Sequence, residues 1–524
     1  GSSNFVSSAN CAVMAAMAAR LISLAAIVVA ASSDETCVAG QKCAGAGDYY
    51  WPQARGRPEL PSASPYVGPK KMSASLAWTW NHYLGQYAVV LPAAPLIDDK
   101  KNLYLQTTSE IFKLSPDGDQ LWKYKARARM SDNPSIANGA VYSLMSTGEV
   151  FALDMETGSE LWMTKTAPGI GGDIAAVSAQ DGIVFCTVGN AKEIPDGSRK
   201  VQALNATDGK MLWDFEPERG FWNFIPMFPG DGSLVFQNMN GDVFHLRMDD
   251  GRVLWQQLRT GKDPGPTWTD GGLMLDHESG IVYAVHAESF IDKLSPFQKS
   301  DISAYRLKDG KFLWRHDYPT PPNSWAAVGR IGEKKRLTVL FPYGGQAAGS
   351  AIGFLTSLLP QGSASWLYKA ISDCYLALGS WGPKLASRLA GFPTEWPNGV
   401  TAFEPETGKV HWEWKLPFSG VEVKGDDVGF MPRASLNVIP ETFTMLWGQT
   451  VCIPNPWGSP TIDAEGTTYL GNQDGNIYAL REVNGVGKVV DTFETSAGFG
   501  HPGVALAPGM LAITNCDTMY VFKY

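Results

Sequence analysis

One pattern recurs along the chain and narrows the folds open to it. Phe151–Trp162 reads FALDMETGSELW: an apolar strand end, Asp154, a Thr157-Gly158 turn, and a second extended stretch closing on tryptophan. Glycine suits that turn because a hairpin loop of three to five residues usually needs one residue at positive φ. The same pattern appears as KLSPDGDQLW to Trp122, ALNATDGKMLW to Trp213 and HLRMDDGRVLW to Trp255. It returns as AYRLKDGKFLW to Trp314 and AFEPETGKVHW to Trp412. Repetition of a hairpin unit at this period predicts propeller blades or solenoid turns.

The order of strands decides between the two. Each unit opens with a short strand, continues with an aliphatic-aromatic strand, and ends in the hairpin that closes on tryptophan. The units run Ala94–Trp122, Asn133–Trp162, Asp173–Trp213, Pro226–Trp255 and Thr267–Trp314, then from Ser324 to Trp412 across a long insertion. A seventh, Gly458–Phe493, places Phe493 near the position of the closing tryptophan. His501–Tyr524 supplies three strands of an eighth, while Ala74–Trp80 (ASLAWTW) is a lone tryptophan-bearing strand with no partner beside it in sequence. A closed ring joins the two fragments and removes an open sheet edge. The expected fold is therefore all-β: an eight-bladed β-propeller whose N-terminal strand completes the last blade, with a partly helical insertion in blade six.

Three regions are expected, with the propeller at 74–524. Residues 1–32 read as a signal peptide or membrane anchor with upstream residues, because Met14 opens a short basic n-region and Leu21–Ala31 is apolar. Residues 33–73, rich in Pro, Gly and Ser, read as an arm or linker. The interval between closing tryptophans grows from 40 residues (Trp122 to Trp162) to 98 (Trp314 to Trp412), which marks an insertion at 344–397, and a further irregular insertion at 419–457 follows blade six. Within the first, Trp366, Leu367, Ala370, Ile371, Cys374, Tyr375 and Leu378 fall on one helical face. The net charge of -9 argues against a nucleic-acid surface. Seven cysteines are too few for a disulfide scaffold; Cys37–Cys43 and Cys374–Cys452 are the candidate pairs in an oxidising compartment.

The pattern A-x-D-x-x-T-G-x-E-x-W, met in full by Ala152, Asp154, Thr157, Gly158, Glu160 and Trp162, resembles the tryptophan-docking motif of pyrroloquinoline quinone (PQQ) repeat propellers, the quinoprotein alcohol dehydrogenase-like family. The resemblance implies that Trp122, Trp162, Trp213, Trp255, Trp314 and Trp412 fasten each blade to its neighbour. That family contains PQQ- and calcium-dependent dehydrogenases and also non-catalytic scaffolds, so fold does not assign chemistry. The dehydrogenases carry adjacent cysteines and an Asp base, whereas this chain has no Cys-Cys pair and reads PPNSWAAV around Asn323 where the base is expected. An amide cannot take a proton as a carboxylate does.

Asp173, Trp268, Asp270, Asn323, Trp325 and His501 lie at or near first-strand starts and are the candidates for one mouth of the channel. The plainer reading is that they bond strand ends and pack loops. The seven histidines show no metal-ligand spacing. The function expected is a binding scaffold of the secretory or membrane-associated space, without catalytic residues, metal or cofactor, engaging a protein partner through a loop face or the helical insertion. Membrane association would run through the N-terminal segment or that insertion. The alternative is a divergent dehydrogenase using PQQ and calcium on an alcohol or sugar, and the third is an extracellular polysaccharide-binding module.

Overall fold

The computed structural model describes residues 49–58, 60–84, 91, 93–130, 133–169, 176–190, 197–260, 265–267, 269, 272–288, 299–320, 324–345, 381, 385, 388–389, 395–416, 424, 454–501 and 503–524. Eight antiparallel sheets follow one another around a ring. Blade 1 spans Leu96 to Lys125, blade 2 Ser135 to Lys165, blade 3 Ser178 to Phe215 and blade 4 Ser233 to Gln257. Blade 5 spans Leu273 to Tyr318, blade 6 Ala327 to Lys415 and blade 7 Thr461 to Glu494. Blade 4 has three full strands; its missing inner strand is reduced to the bridge between Met227 and Val235.

Blade 8 is assembled from both ends of the propeller. Leu76–Asn81 pairs antiparallel with Thr518–Lys523, followed inward by Met510–Thr514 and Ala505–Ala507. The edge of the last blade is therefore covered by a strand from the start of the ring, as the complementary fragments predict. Among the described residues, helix is confined to Met72–Ser75 and to residues 381, 385, 388 and 389 within the blade-six insertion. The helical face expected over 366–378, and most of both insertions, lie outside the described residues, as does the segment 1–32.

Strand burial follows the layering. Inner strands are apolar and closed on both faces, as in Ala140–Leu144, where every residue is buried. Outermost strands alternate, as in Gln120–Lys125, where Trp122 is buried between exposed neighbours. A strand between two sheets needs an unbroken apolar run, while a rim strand needs only every second residue.

The buried rim residue is the tryptophan, and its indole N–H reaches the next blade. Trp122 Nε1 donates to Met155 O at 3.0 Å, Trp162 to Ala206 O at 2.9 Å and Trp213 to Met248 O at 2.8 Å. Trp255 donates to Leu307 O at 2.6 Å and Trp314 to Pro405 O at 2.8 Å. Trp78, on the N-terminal strand, does the same across the closure, donating to Pro116 O of blade 1 at 3.0 Å. A buried indole needs such an acceptor. The ring itself lies on the turn glycine of the neighbour. A Cβ at Gly158 would sit 2.8 Å from Trp122 Cδ2, and that residue has φ of +71, so both space and backbone demand glycine.

Blade 7 departs from the pattern. Its hairpin turns at Asn484-Gly485, both at positive φ, and is two residues longer than its counterparts. The register places Asp491 opposite Ala479, beside the bulge, where blade 2 has Trp162 opposite Ala152. Phe493 pairs with Ile477 instead, so the expectation that Phe493 stands at the closing position is corrected to Asp491. The longer hairpin also changes what Trp412 meets: its Nε1 donates to Glu482 Oε2 at 2.8 Å rather than to a carbonyl.

Candidate functional site

Sequence composition gives residues 49–71 the look of a linker, but they pack along the inner ends of the blades. Trp51 exchanges both backbone hydrogen bonds with Ile97 of blade 1, each 3.0 Å. Pro52 O accepts from Ile136 N of blade 2 at 2.8 Å, and Pro58 O lies 2.7 Å from His277 Nε2 just past the first strand of blade 5. Ser64 N and Ser62 O bond Ile462 of blade 7 at 2.8 and 2.9 Å. Gly68 N donates to Asp463 Oδ2 at 2.9 Å. Prolines and glycines suit such a path: apart from one short hairpin, Gly56–Arg57 against Leu60–Pro61, its backbone bonds to the ring go to scattered segments of the blades. The arm meets blades 1, 2, 5 and 7 at the end of the ring where their first strands finish.

From that end Arg55 reaches inward. Its side chain is buried, with Nη1 donating to Met227 Sδ at 3.9 Å. Its guanidinium carbon stands 4.4 Å from the centroid of the Trp325 indole, a cation–π stack. Desolvation lowers the pKa of Arg55 well below the ordinary guanidinium value, and a guanidinium keeps its proton in proteins. Arg55 escaped the sequence reading because no periodicity marks the arm; the pair Arg55-Gly56-Arg57 amid prolines was the one available signal.

At the opposite end, where first strands begin, the structure brings two of the candidates together. The rings of Trp325 and His501 meet edge to face, 5.5 Å apart at 88°. Ser459 Oγ donates to His501 O at 2.9 Å and Ser324 Oγ to Gly458 O at 3.2 Å, tying the starts of blades 6, 7 and 8. Burial in the channel lowers the His501 pKa to about 3, so its imidazole is neutral at physiological pH. Asp173, Trp268, Asp270 and Asn323 lie outside the described residues, as do Cys37, Cys43, Cys374 and Cys452. Cys516, which the sequence reading paired with nothing, is disulfide-bonded.

Two buried polar clusters lie away from the channel. In blade 5, Asp301 receives Arg259 Nη2 at 2.9 Å and Ser303 Oγ at 2.6 Å, and meets His286 Nδ1 at 2.9 Å. His286 Nε2 faces Gly241 O of blade 4 at 3.1 Å. At the closure, Glu110 joins His82 at 2.7 Å and Lys123 at 3.0 Å. Both clusters satisfy their charges internally and bridge adjacent blades, which is a structural use of ionisable groups. Among the described residues no three His, Cys, Asp or Glu side chains converge as a metal set.

Repeated four-stranded blades, latched in sequence by tryptophan on glycine and closed by an N-terminal strand, define an eight-bladed propeller whose repeats resemble those of the PQQ-repeat proteins. The family model described as outer membrane protein assembly factor BamB matches residues 80–169 and 146–338. Among individual proteins, the chain is similar to that factor from Salmonella typhimurium, 27% identical over 33% of this chain and 44% of the relative. It is also similar to the one from Burkholderia pseudomallei, 29% identical over 44% of this chain and 53% of the relative. The matched part thus spans about half the length of these relatives. Solved structures of like fold include BamB from Moraxella catarrhalis, with TM-score 0.52 and 12% identity over 86% of this chain and 99% of that one. A europium-containing methanol dehydrogenase has TM-score 0.57 and 12% identity over 92% and 98%. At such identity the structural likeness speaks for the fold alone.

Proposed function

We propose that this chain is a non-catalytic scaffold that holds a protein partner in the secretory or membrane-associated space, through the insertion in blade six. The observation that carries the reading is an exposed apolar stripe. Trp381, Leu385 and Leu389 are helical, recur every four residues on one face, and are 70%, 43% and 65% exposed. A connection between two strands of one blade does not require such a face, and large exposed aromatic and leucine side chains are the usual anchors of protein interfaces. Sequence similarity to relatives named as assembly factors supports a partner-binding role. The disulfide at Cys516 supports an oxidising compartment.

The test replaces Trp381, Leu385 and Leu389 together by serine in the full chain. Crosslinking should then lose a specific partner while the melting temperature stays within a few degrees. Unchanged partners, or a loss confined to liposome binding, would overturn the protein-docking reading in favour of no docking or of a membrane. Dye-linked alcohol oxidation by the intact protein with PQQ and calcium would overturn the non-catalytic reading and return the chain to the dehydrogenases.

A further inference from the structure

We propose that Arg55 and Trp325 form an internal carboxylate-binding site on the propeller axis, which takes a small free carboxylic acid in its ionised form. Of the guanidinium nitrogens, Nη1 is engaged by Met227 Sδ, while Nε and Nη2 have no acceptor among the described residues although the side chain is buried. Those two N–H groups lie along one edge of the guanidinium plane, the edge that offers parallel hydrogen bonds to both oxygens of a carboxylate. The Trp325 indole beneath the guanidinium adds a third donor: its Nε1 is likewise buried without an acceptor. Donors predominate here, and the positive charge is uncompensated.

An enclosed, unpaired charge is among the most costly features a fold can carry, and it is normally found with a counter-ion. Among the described residues, the groups contacting Arg55 do not supply one. Met227 offers a thioether, Trp325 an aromatic face, and Trp325 is edged in turn by the neutral His501 ring. The stack on Trp325 fixes the guanidinium plane and leaves its Nε–Nη2 edge to the anion. A flat two-oxygen group matches that edge with two parallel bonds, and a singly charged carboxylate balances one guanidinium where phosphate at neutral pH would bring excess charge into an enclosed site. The arm itself delivers Arg55, so the site exists only when residues 49–71 are seated. This site is separate from the blade-six insertion and stands or falls without it.

Calorimetric titration of the full chain with acetate, benzoate and inorganic phosphate, in low-salt Tris, tests the proposal. Acetate or benzoate should bind at one saturable site, at least tenfold tighter than phosphate. Arg55→Met keeps the alkyl stem and removes the charge; it should abolish binding while the unliganded protein melts no lower than wild type. Arg55→Lys keeps the charge without the fork and should weaken binding at least tenfold, and Trp325→Phe several-fold. A pentapeptide with a free C-terminus, beside its C-terminal amide, separates a polypeptide carboxylate from a free acid. Binding of the free peptide without acetate or benzoate would overturn the small-acid assignment. Absence of saturable binding, or binding unchanged in Arg55→Met or Arg55→Lys, would overturn the site.

Discussion

Asp491 Oδ2 accepts the backbone N–H of Met72 at 2.7 Å, at the rim position that tryptophan holds in blades 1 to 6. Lys71 reaches the other oxygen at 3.1 Å. Instead of gripping blade 8 with an indole, blade 7 holds the short helix that leads into the closing strand, and the fully buried Met72 fills the seam beside Tyr469, Ile477 and Phe522. A carboxylate at the first turn of a helix satisfies N–H groups that have no partner within it.

Asp491→Ala should therefore loosen the arm more than the ring. Lys71 is 64% exposed, so its ion pair contributes little; the charge-assisted bond to Met72 should account for a loss of about 1.5–3 kcal/mol. Limited proteolysis should cut within residues 49–75 well before the blades, and urea melts should show the shift. Equal protection of the arm in both proteins would refute the latch.

The tryptophan–glycine contacts are expected to be coupled. Trp162→Ala removes a packed indole and its bond to Ala206, at a cost of about 3–5 kcal/mol. Gly209→Ala adds a Cβ 2.4 Å from Trp162 Cε3 at a residue with φ of +69. With the indole gone, the added methyl has less to strike, so the double variant should be less destabilised than the sum. Additive losses in denaturant titrations would show the two residues to be independent.

Acid should unseat blade 5 through Asp301. Burial alone would raise its pKa, but the adjacent His286, the Arg259 charge and the Ser303 hydroxyl outweigh burial and hold it below the ordinary value. A carboxylate depressed in the folded state stabilises above its unfolded pKa of roughly 4, and the contribution is lost as pH falls through the folded value. Asp301→Asn should lower stability at pH 7 by about 3–5 kcal/mol, since Arg259 is left buried without its counter-charge. The gap to wild type should close as pH falls below roughly 4. A gap independent of pH would mean that geometry, not charge, is what the variant loses.

The cysteines should separate by reactivity. Cys186 is buried and desolvation pushes its thiol up to about 12, so it should resist alkylation in the native protein and label fully after unfolding. Non-reducing peptide mapping should recover Cys516 only in a disulfide. Rapid native labelling of Cys186, or a free Cys516 thiol, would contradict the structure.

The ring was legible in the sequence because a closing tryptophan and a turn glycine impose a fixed spacing, and because a lone strand at one end answered three strands at the other. Blade 7 was misread by two residues for a specific reason. Its Asn484-Gly485 turn lengthens the hairpin, so counting to the nearest aromatic led to Phe493 rather than to Asp491. The seating of the arm was illegible for a different reason: its bonds to the ring go to Ile97, Ile136 and Ile462, residues far away in the chain, and nothing periodic in Pro-Gly-Ser sequence announces them. Of the channel candidates, Trp325 and His501 do come together, whereas their most informative neighbour, Arg55, carries no motif.

The pairing of Leu76–Asn81 with Thr518–Lys523 also sets a timetable. Asn81 and Thr518 are hydrogen-bonded across 437 positions of chain, so the first strand emerges from the ribosome long before its partner exists. At ordinary rates of synthesis the wait is on the order of tens of seconds. Throughout it, Leu76, Trp78 and Trp80 form an unmated apolar ribbon, and blade 1 lacks the indole that will cover Gly118. Completion of this ring accordingly waits on its last strand, and a newly made chain depends on whatever shields that ribbon until that strand arrives.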